Sequence, residues 1–94
     1  MELLCNISER GEERTLNGAR GEIKVVDVTL KSGADQVRAC AFDDLAKAIL
    51  SGELHEGALY KASVTFTVRE TEKGKFQSAR IDRMDVLYEF IQTN

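Results

Sequence analysis

A single helical segment lies in the middle of a chain that otherwise consists of short runs of β type. Asp43 is suited to the N-cap of this helix, and residues 44–51 place apolar side chains at helical spacing until Gly52 ends it. On both sides, glycine-containing turns separate runs that alternate in polarity or are rich in β-branched residues. The pattern predicts an all-β fold with one short helix.

Five strands are predicted, three before the helix and two after it. They cover residues 2–8, 22–31, 36–42, 59–69 and 75–86. The polar, arginine-bearing stretch at 9–21 is expected to be a long loop, and loops of that length are often functional. The order β-β-β-α-β-β in a chain this short is typical of a five-stranded OB-fold barrel, in which a helix closes one end. A single α+β sandwich is the alternative.

The helix is expected to close the barrel with the side chains of Leu45, Ala48 and Ile49. The length of 94 residues allows one domain, which we predict to comprise a barrel at about 2–86 and an apolar C-terminal tail at 87–94. The tail either continues strand five or forms a short helix. Its apolar side chains dock on the barrel, which we favour, or on another copy or a partner subunit.

The overall charge and the amino terminus limit the classes of partner and location. The net charge is −3, from 13 Lys and Arg against 16 Asp and Glu, and this balance argues against a generic polyanion binder. A local basic groove can nevertheless lie on an acidic protein. No apolar run approaches the ~20 residues that cross a bilayer, and the amino terminus lacks the basic region of a signal peptide. We therefore expect a cytoplasmic protein without membrane contact, nucleoid-associated if the host is prokaryotic.

The sequence contains little that supports catalysis. His55 is the only histidine, and neither Cys5 nor Cys40 has a histidine nearby in the sequence. The two cysteines form no CxxC pair, so free thiols are expected in a reducing compartment. There is no zinc-ligand spacing and no phosphate-binding loop. We predict a protein that is not an enzyme and uses neither metal nor cofactor.

Alternation of side chains along the strands assigns residues to two faces. On strand three, Arg38 belongs in water, which places Ala39 and Ala41 in the core and turns Phe42 outward beside Arg38. On strand four, Tyr60 and Phe66 belong to an unbroken apolar set and are predicted to be core residues.

On strand five, Ala79 and Ile81 form the better core face, which turns Phe76 outward together with Arg80. Two phenylalanines are thus expected on the outer surface, each near an arginine. Either each ring is covered by a loop or the helix, or the two rings form a platform for base stacking. Each base stacked on an aromatic ring contributes about 1–3 kcal/mol.

Several runs resemble the OB domains of the large subunit of replication protein A. They are Gly-Glu-Ile-Lys-Val-Val-Asp-Val-Thr-Leu at 21–30, Val-Arg-Ala-Cys-Ala-Phe-Asp-Asp at 37–44 and Glu-Gly-Ala-Leu-Tyr at 56–60. The family typically has I-R-A-T-A-F-N before the helix and G-K-V-Y at the start of strand four. The similarity extends over roughly residues 3–84, and Arg-Ala-x-Ala-Phe with the correctly spaced Gly-x-x-Tyr is its most specific part.

The resemblance implies an OB fold that binds single-stranded DNA. It assigns base stacking to Phe42 and Phe76, and a DNA contact to Arg38. Leu16 stands where the family can have a tryptophan, which weakens one aromatic contact. The resemblance further implies backbone contacts from the first long loop and the second strand, through Arg14, Arg20 and Lys24.

The cationic residues expected to frame one groove come from two loops and the outer strands. They are Arg14, Arg20, Lys24, Arg38, Arg69, Lys73, Lys75 and Arg80. The alternative is a solvated surface of mixed charge, and five glutamates in the same loops oppose phosphate. The sequence thus predicts binding of single-stranded nucleic acid, DNA favoured over RNA, with little sequence specificity and a role in replication, recombination or repair. The alternative is a protein-interaction OB domain, a homodimer or a subunit of a larger complex, with negligible affinity for nucleic acid.

Overall fold

The computed structural model describes residues 1–90, which form five strands and one helix. The elements are β1 (Glu2–Gly18), β2 (Gly21–Ser32), β3 (Asp35–Phe42), α1 (Asp44–Ser51), β4 (Ala58–Thr71) and β5 (Gly74–Glu89). Their order confirms the predicted β-β-β-α-β-β arrangement. No helix in this part of the chain is long and apolar enough to cross a membrane.

The strands close into a barrel in the order β1-β2-β3-β5-β4. Glu2–Cys5 of β1 pair with Tyr60–Ser63 of β4 and complete the ring. All neighbours are antiparallel except β3 and β5, which are parallel and meet where Cys40 lies opposite Arg80. The closed ring confirms the predicted barrel and excludes the α+β sandwich.

The core fills the barrel interior with one alternate set of side chains from each strand. Tyr60 and Leu30 are its largest fully buried members. Ala39, Ala41 and Ile81 are buried as alternation predicted. The remaining buried members of the cluster are Cys5, Ile7, Val26, Val28, Ala46, Ile49, Ala58, Ala62, Val64 and Ala79.

Helix α1 packs one face against the core through Leu45 and Ile49, as predicted, but with Ala46 in place of Ala48. Ala46 and Ile49 are buried, Leu45 packs partly buried against the core, and Ala48 is half-buried. Asp43 occupies the N-cap position, but its side chain makes no capping hydrogen bond. Its backbone has a φ of 54°, and its N–H donates to the Lys24 carbonyl oxygen at 2.8 Å.

Two hairpins continue beyond the barrel as two-stranded arms, which contribute to a length of 51 Å in a molecule 19 Å thick. The first arm comprises residues 14–24, and the second comprises residues 66–78. The predicted loop at 9–21 was wrong, because β1 continues through it to Gly18, which pairs with Gly21. Gly21 has a φ of 114°, which permits a tight turn at this position.

The prediction for Phe66 was also wrong. This residue was expected in the core, but its side chain is 36% exposed. The side chain faces the predicted side of the strand, since Phe66 pairs with Ala79 on the inward-facing side of the hairpin. β4 has left the barrel at this point, however, so no interior remains to cover the ring.

The end of β5 shows whether the first residues of the predicted tail continue the strand or form a helix. β5 continues to Glu89, so residues 87–89 extend the strand and do not form a helix. The Phe90 N–H donates to the Gly57 carbonyl oxygen at 2.8 Å. Leu87 and Phe90 are half-exposed or more and are not docked on the barrel. The rest of the predicted tail, 91–94, lies outside the described residues.

The buried hydroxyl of Tyr60 provides a test of the core. It accepts a hydrogen bond from the His55 N–H at 2.8 Å and donates one to the His55 carbonyl oxygen at 3.3 Å. Tyr60→Phe leaves both backbone groups without this partner, and we expect the free energy of unfolding to fall by about 1–2 kcal/mol in denaturant titrations. Tyr88→Phe, at an exposed ring, is the matched control and should leave it unchanged. An equal effect of the two substitutions would contradict this account of the core.

Candidate nucleic-acid interface

The strand register brings side chains from β1, β2, β3 and β5 together on one outer surface of the barrel. Residues directly opposite each other on paired strands share a face, and the core residues Val26, Val28 and Ala41 show which face is inward. The outward set, called the outer face below, comprises Arg14, Val25, Asp27, Thr29, Arg38, Cys40, Phe42 and Arg80.

Phe42 lies at the end of this face nearest the helix. It pairs with Val25, and Val25 pairs on its other side with Arg14. Val25 is fully buried although it lies outside the core cluster, so it forms a packed base beside the ring. Phe42 is half-buried, which leaves part of the ring accessible while its position is held.

The second arm carries Phe76 on the same side as the outer face. Phe76 lies opposite Arg69, and the alternation along β5 places it with Arg80, four residues further on. Its side chain is 54% exposed. Arg38 lies where the second arm meets the barrel. It lines a groove of about 370 Å³ over β2 and also a smaller pocket that Phe66 and Ser78 line.

Arg14 crosses β2 to reach a carboxylate and a thiol. Its Nη2 lies 2.9 Å from Asp27 Oδ1 and 3.7 Å from Cys40 Sγ. The Cys40 thiol donates to the same carboxylate oxygen at 3.1 Å. Burial raises the pKa of Cys40, as do the hydrogen bond and the charge of Asp27, while Arg14 opposes them. The thiol is therefore held in its protonated form, and Cys5 and Cys40 are both free cysteines.

Gly11 belongs to an irregularity in β1, between Arg10 and Glu13, that brings the strand close to Asp27. A Cβ atom at position 11 would lie 3.1 Å from the Asp27 carbonyl oxygen. Such a contact is too tight for most side chains without a shift of the neighbouring strand. Glycine therefore permits the close approach of β1 to the middle of the outer face.

Arg80 is also held by a carboxylate. Its Nε donates to Asp82 Oδ1 at 2.8 Å, and the Thr65 hydroxyl donates to the other oxygen of Asp82. The hydrogen bond from Thr65 and then that from Arg80 hold the pKa of Asp82 below its usual value. Asp82 lies at an irregularity between the pairs Ser63–Arg83 and Val64–Ile81.

Other predicted cations lie away from this surface. Lys24 pairs with Thr15 on the opposite side of the first arm, and its Nζ lies 3.2 Å from Glu13 Oε1. Lys75 pairs with Glu70 and alternates away from Phe76. Arg20 and Lys73 lie in the turns at the two arm tips. Leu16 pairs with Ile23 on the same side as Arg14 and is partly exposed.

Asp27 and Asp82 were not among the predicted site residues. Both alternate with core residues, so their outward direction could have been read from Val26, Val28 and Ile81. Alternation does not show, however, that Asp27 forms an ion pair with Arg14 and Asp82 with Arg80 on the same surface.

A closed five-stranded barrel with a helix between β3 and β4, and with two arms flanking one face, is an OB fold. No protein-family model and no curated protein matches the sequence.

The solved structures that match over nearly the whole chain include two domains of replication protein A. One is the second OB-fold domain of the protein from Methanococcus maripaludis, with a TM-score of 0.64, 13% identity, and coverage of 97% of this chain and 86% of that one. The other is DNA-binding domain A of the Saccharomyces cerevisiae protein, with a TM-score of 0.59, 21% identity, and coverage of 99% and 85%. At these identities the likeness establishes the fold.

The reactivity of Cys40 tests the geometry around Asp27 without reference to function. Asp27→Asn removes the negative charge that raises the pKa of the thiol, so more thiolate forms at a given pH. We expect faster alkylation of Cys40 by iodoacetamide, followed by mass spectrometry. Cys5 is 1% exposed and should stay unmodified while the protein is folded. Unchanged or slower alkylation of Cys40 would contradict the arrangement.

Proposed function

We propose that this domain binds single-stranded nucleic acid, DNA in preference to RNA, across the outer face between the two arms. The observation that carries the proposal is that Phe42 and Phe76 share one side of the molecule with Arg38 and Arg80. Base stacking supplies affinity without sequence readout, because every base has a π-face. We place the function inside the cell, in replication, recombination or repair of DNA.

The spacing of the two rings fits a strand of several nucleotides. β3 and β5 are parallel, and Cys40 lies opposite Arg80, so Phe42 and Phe76 lie six residue positions apart along the strand direction. At about 3.3 Å per residue this is about 20 Å. A bound strand therefore passes Arg38 and Arg80 between the two rings, within the range of about 4–16 nucleotides that one OB fold covers.

The structural likeness gives separate support. One of the two similar structures is described as a DNA-binding domain of replication protein A. The Arg-Ala-x-Ala-Phe run of β3 carries Arg38 and Phe42, and both lie on the outer face. Residues proposed on family resemblance and residues grouped by strand register thus coincide at these two positions.

Removal of either ring tests the stacking platform. Phe42→Ala and Phe76→Ala should each weaken binding to an oligo-dT of about 15 nucleotides by 1–3 kcal/mol, or about 5- to 150-fold, in fluorescence anisotropy titrations. Phe90→Ala is the matched control, because Phe90 is 59% exposed but follows the far end of β5. Thermal unfolding verifies that the half-buried Phe42 position tolerates alanine. Binding by either variant as tight as that of the wild type would remove that ring from the proposal.

Salt dependence tests the phosphate contacts. For three or four contacts, the slope of log affinity against log salt should be about −2 to −3 with single-stranded DNA. The same anisotropy titration at several salt concentrations measures it. Absence of binding even at low salt and high protein concentration would reject the proposed function.

A second candidate function is docking of a protein partner, and the end of β5 favours it. Val86, Leu87, Tyr88 and Phe90 are all exposed there, and the Tyr88 and Phe90 rings lie 5.3 Å apart. Exposed apolar patches mark interaction sites. A solution mass twice that of the monomer, which Leu87→Asp reduces to that of the monomer, would support a homodimer through this surface.

A further inference from the structure

Two of the arginines on the outer face are already occupied by aspartates of the same face. Arg14 is paired with Asp27 at 2.9 Å, and Arg80 with Asp82 at 2.8 Å. Arg38 lies on β3, between the strands that carry Arg14 and Arg80, and makes no ion pair with any residue among 1–90. Of the three guanidinium groups on the outer face, one is therefore uncompensated. Arg69, opposite Phe76 on the second arm, adds a positive charge on the same side that is likewise uncompensated within residues 1–90.

Both carboxylates are held in place by a second partner. The Cys40 thiol donates to Asp27, and the Thr65 hydroxyl donates to Asp82. Each aspartate thus has one neutral donor besides its arginine, and neither can rotate away without losing both bonds. The negative charges are fixed features of the surface that a nucleic acid would approach.

Such a surface affects single-stranded and duplex DNA differently. A duplex has its bases stacked inside, so it offers this face only phosphates, at a charge density twice that of one strand. A single strand offers base faces to Phe42 and Phe76, and its stacking is independent of the aspartates. Neutralised arginines and fixed carboxylates therefore weaken the hold on a duplex, which has only phosphates to offer, more than the hold on a single strand.

We propose that Asp27 and Asp82 are specificity-determining residues that weaken binding of duplex DNA by this face more than binding of single strands. Repulsion of the wrong partner is a general means of specificity. The inference rests on the proposed function, since it concerns how the same face selects its ligand. It assigns a role to two acidic residues that would otherwise only reduce affinity.

The test compares the double variant D27N/D82N with the wild type on two ligands. Labelled dT15 and the dT15·dA15 duplex are titrated at several low salt concentrations by fluorescence anisotropy. Asp27→Asn keeps the one oxygen to which Arg14 and Cys40 both donate. Asp82→Asn replaces one of two acceptor oxygens by an NH2 group, to which the Thr65 hydroxyl can turn as acceptor. Both ion pairs are solvent-exposed, so we expect the fold to be retained. Thermal unfolding verifies this.

The matched control is Asp85→Asn. Asp85 pairs with Arg83 at 2.9 Å, two residues apart on β5, just as Asp82 pairs with Arg80. Asp85 lies opposite Lys61, which in turn lies opposite Leu4, on the side of the barrel formed by β1 and β4. The control removes the same kind of charge away from the outer face.

In the double variant we expect duplex affinity to rise about tenfold and dT15 affinity to rise less, because a duplex carries more charge per unit length. The salt slope should steepen by about 1.8 for the duplex and about 1.4 for the single strand, for two arginines freed to meet phosphates. Asp85→Asn should change neither the ratio of duplex affinity to dT15 affinity nor the salt slope for either ligand.

An equal rise on both ligands, no rise, or the same change in Asp85→Asn would overturn the inference while the proposed function stands, provided that the wild type binds dT15. Failure of the wild type to bind dT15 at low salt rejects the proposed function itself, and the inference with it. The two failures are therefore distinguishable in one set of titrations.

Discussion

The parallel pairing of β3 with β5 is the contact on which the rest of the structure depends. It joins the three-stranded sheet before the helix to the hairpin after it, at the pair Cys40 and Arg80. Parallel neighbours need a crossover connection, and here α1 with β4 supplies it and closes one end of the core. Because of this pairing, Phe42 from one half of the chain and Phe76 from the other share a surface.

Most of the fold could be predicted from the sequence, since alternation and turn residues determine which runs are strands. Ala39, Ala41 and Ile81 were assigned to the core from polarity alone. The prediction that Phe66 is a core residue was wrong for a physical reason. Alternation identifies the face of a strand but not where the barrel beneath it ends. The first arm was missed because a ribbon with water on both faces needs no alternation, so residues 9–21 looked like a loop.

The sequence predicted which side chains of the candidate site point outward. It did not predict which of them form ion pairs across strands, because that depends on the register of the strands. Phe42, Phe76 and Arg38 have the outward direction predicted for them, and their contact with nucleic acid stays a prediction. The ion pair of Lys24 with Glu13 joins residues that are not directly opposite each other, and Asp82 lies at an irregularity in the ladder. Such pairs depend on where strands shift against each other, which a polarity pattern does not contain.

The two arms also differ from the barrel in how easily they open. An isolated two-stranded ribbon is only marginally stable in water, and segments with few buried contacts open locally at low free energy. The side chains at 66–78 are all exposed, so the second arm can fray while the core around Tyr60 stays closed. A strand held between the arms would have to order them, and the entropy lost in doing so would set an upper limit on affinity and favour rapid release.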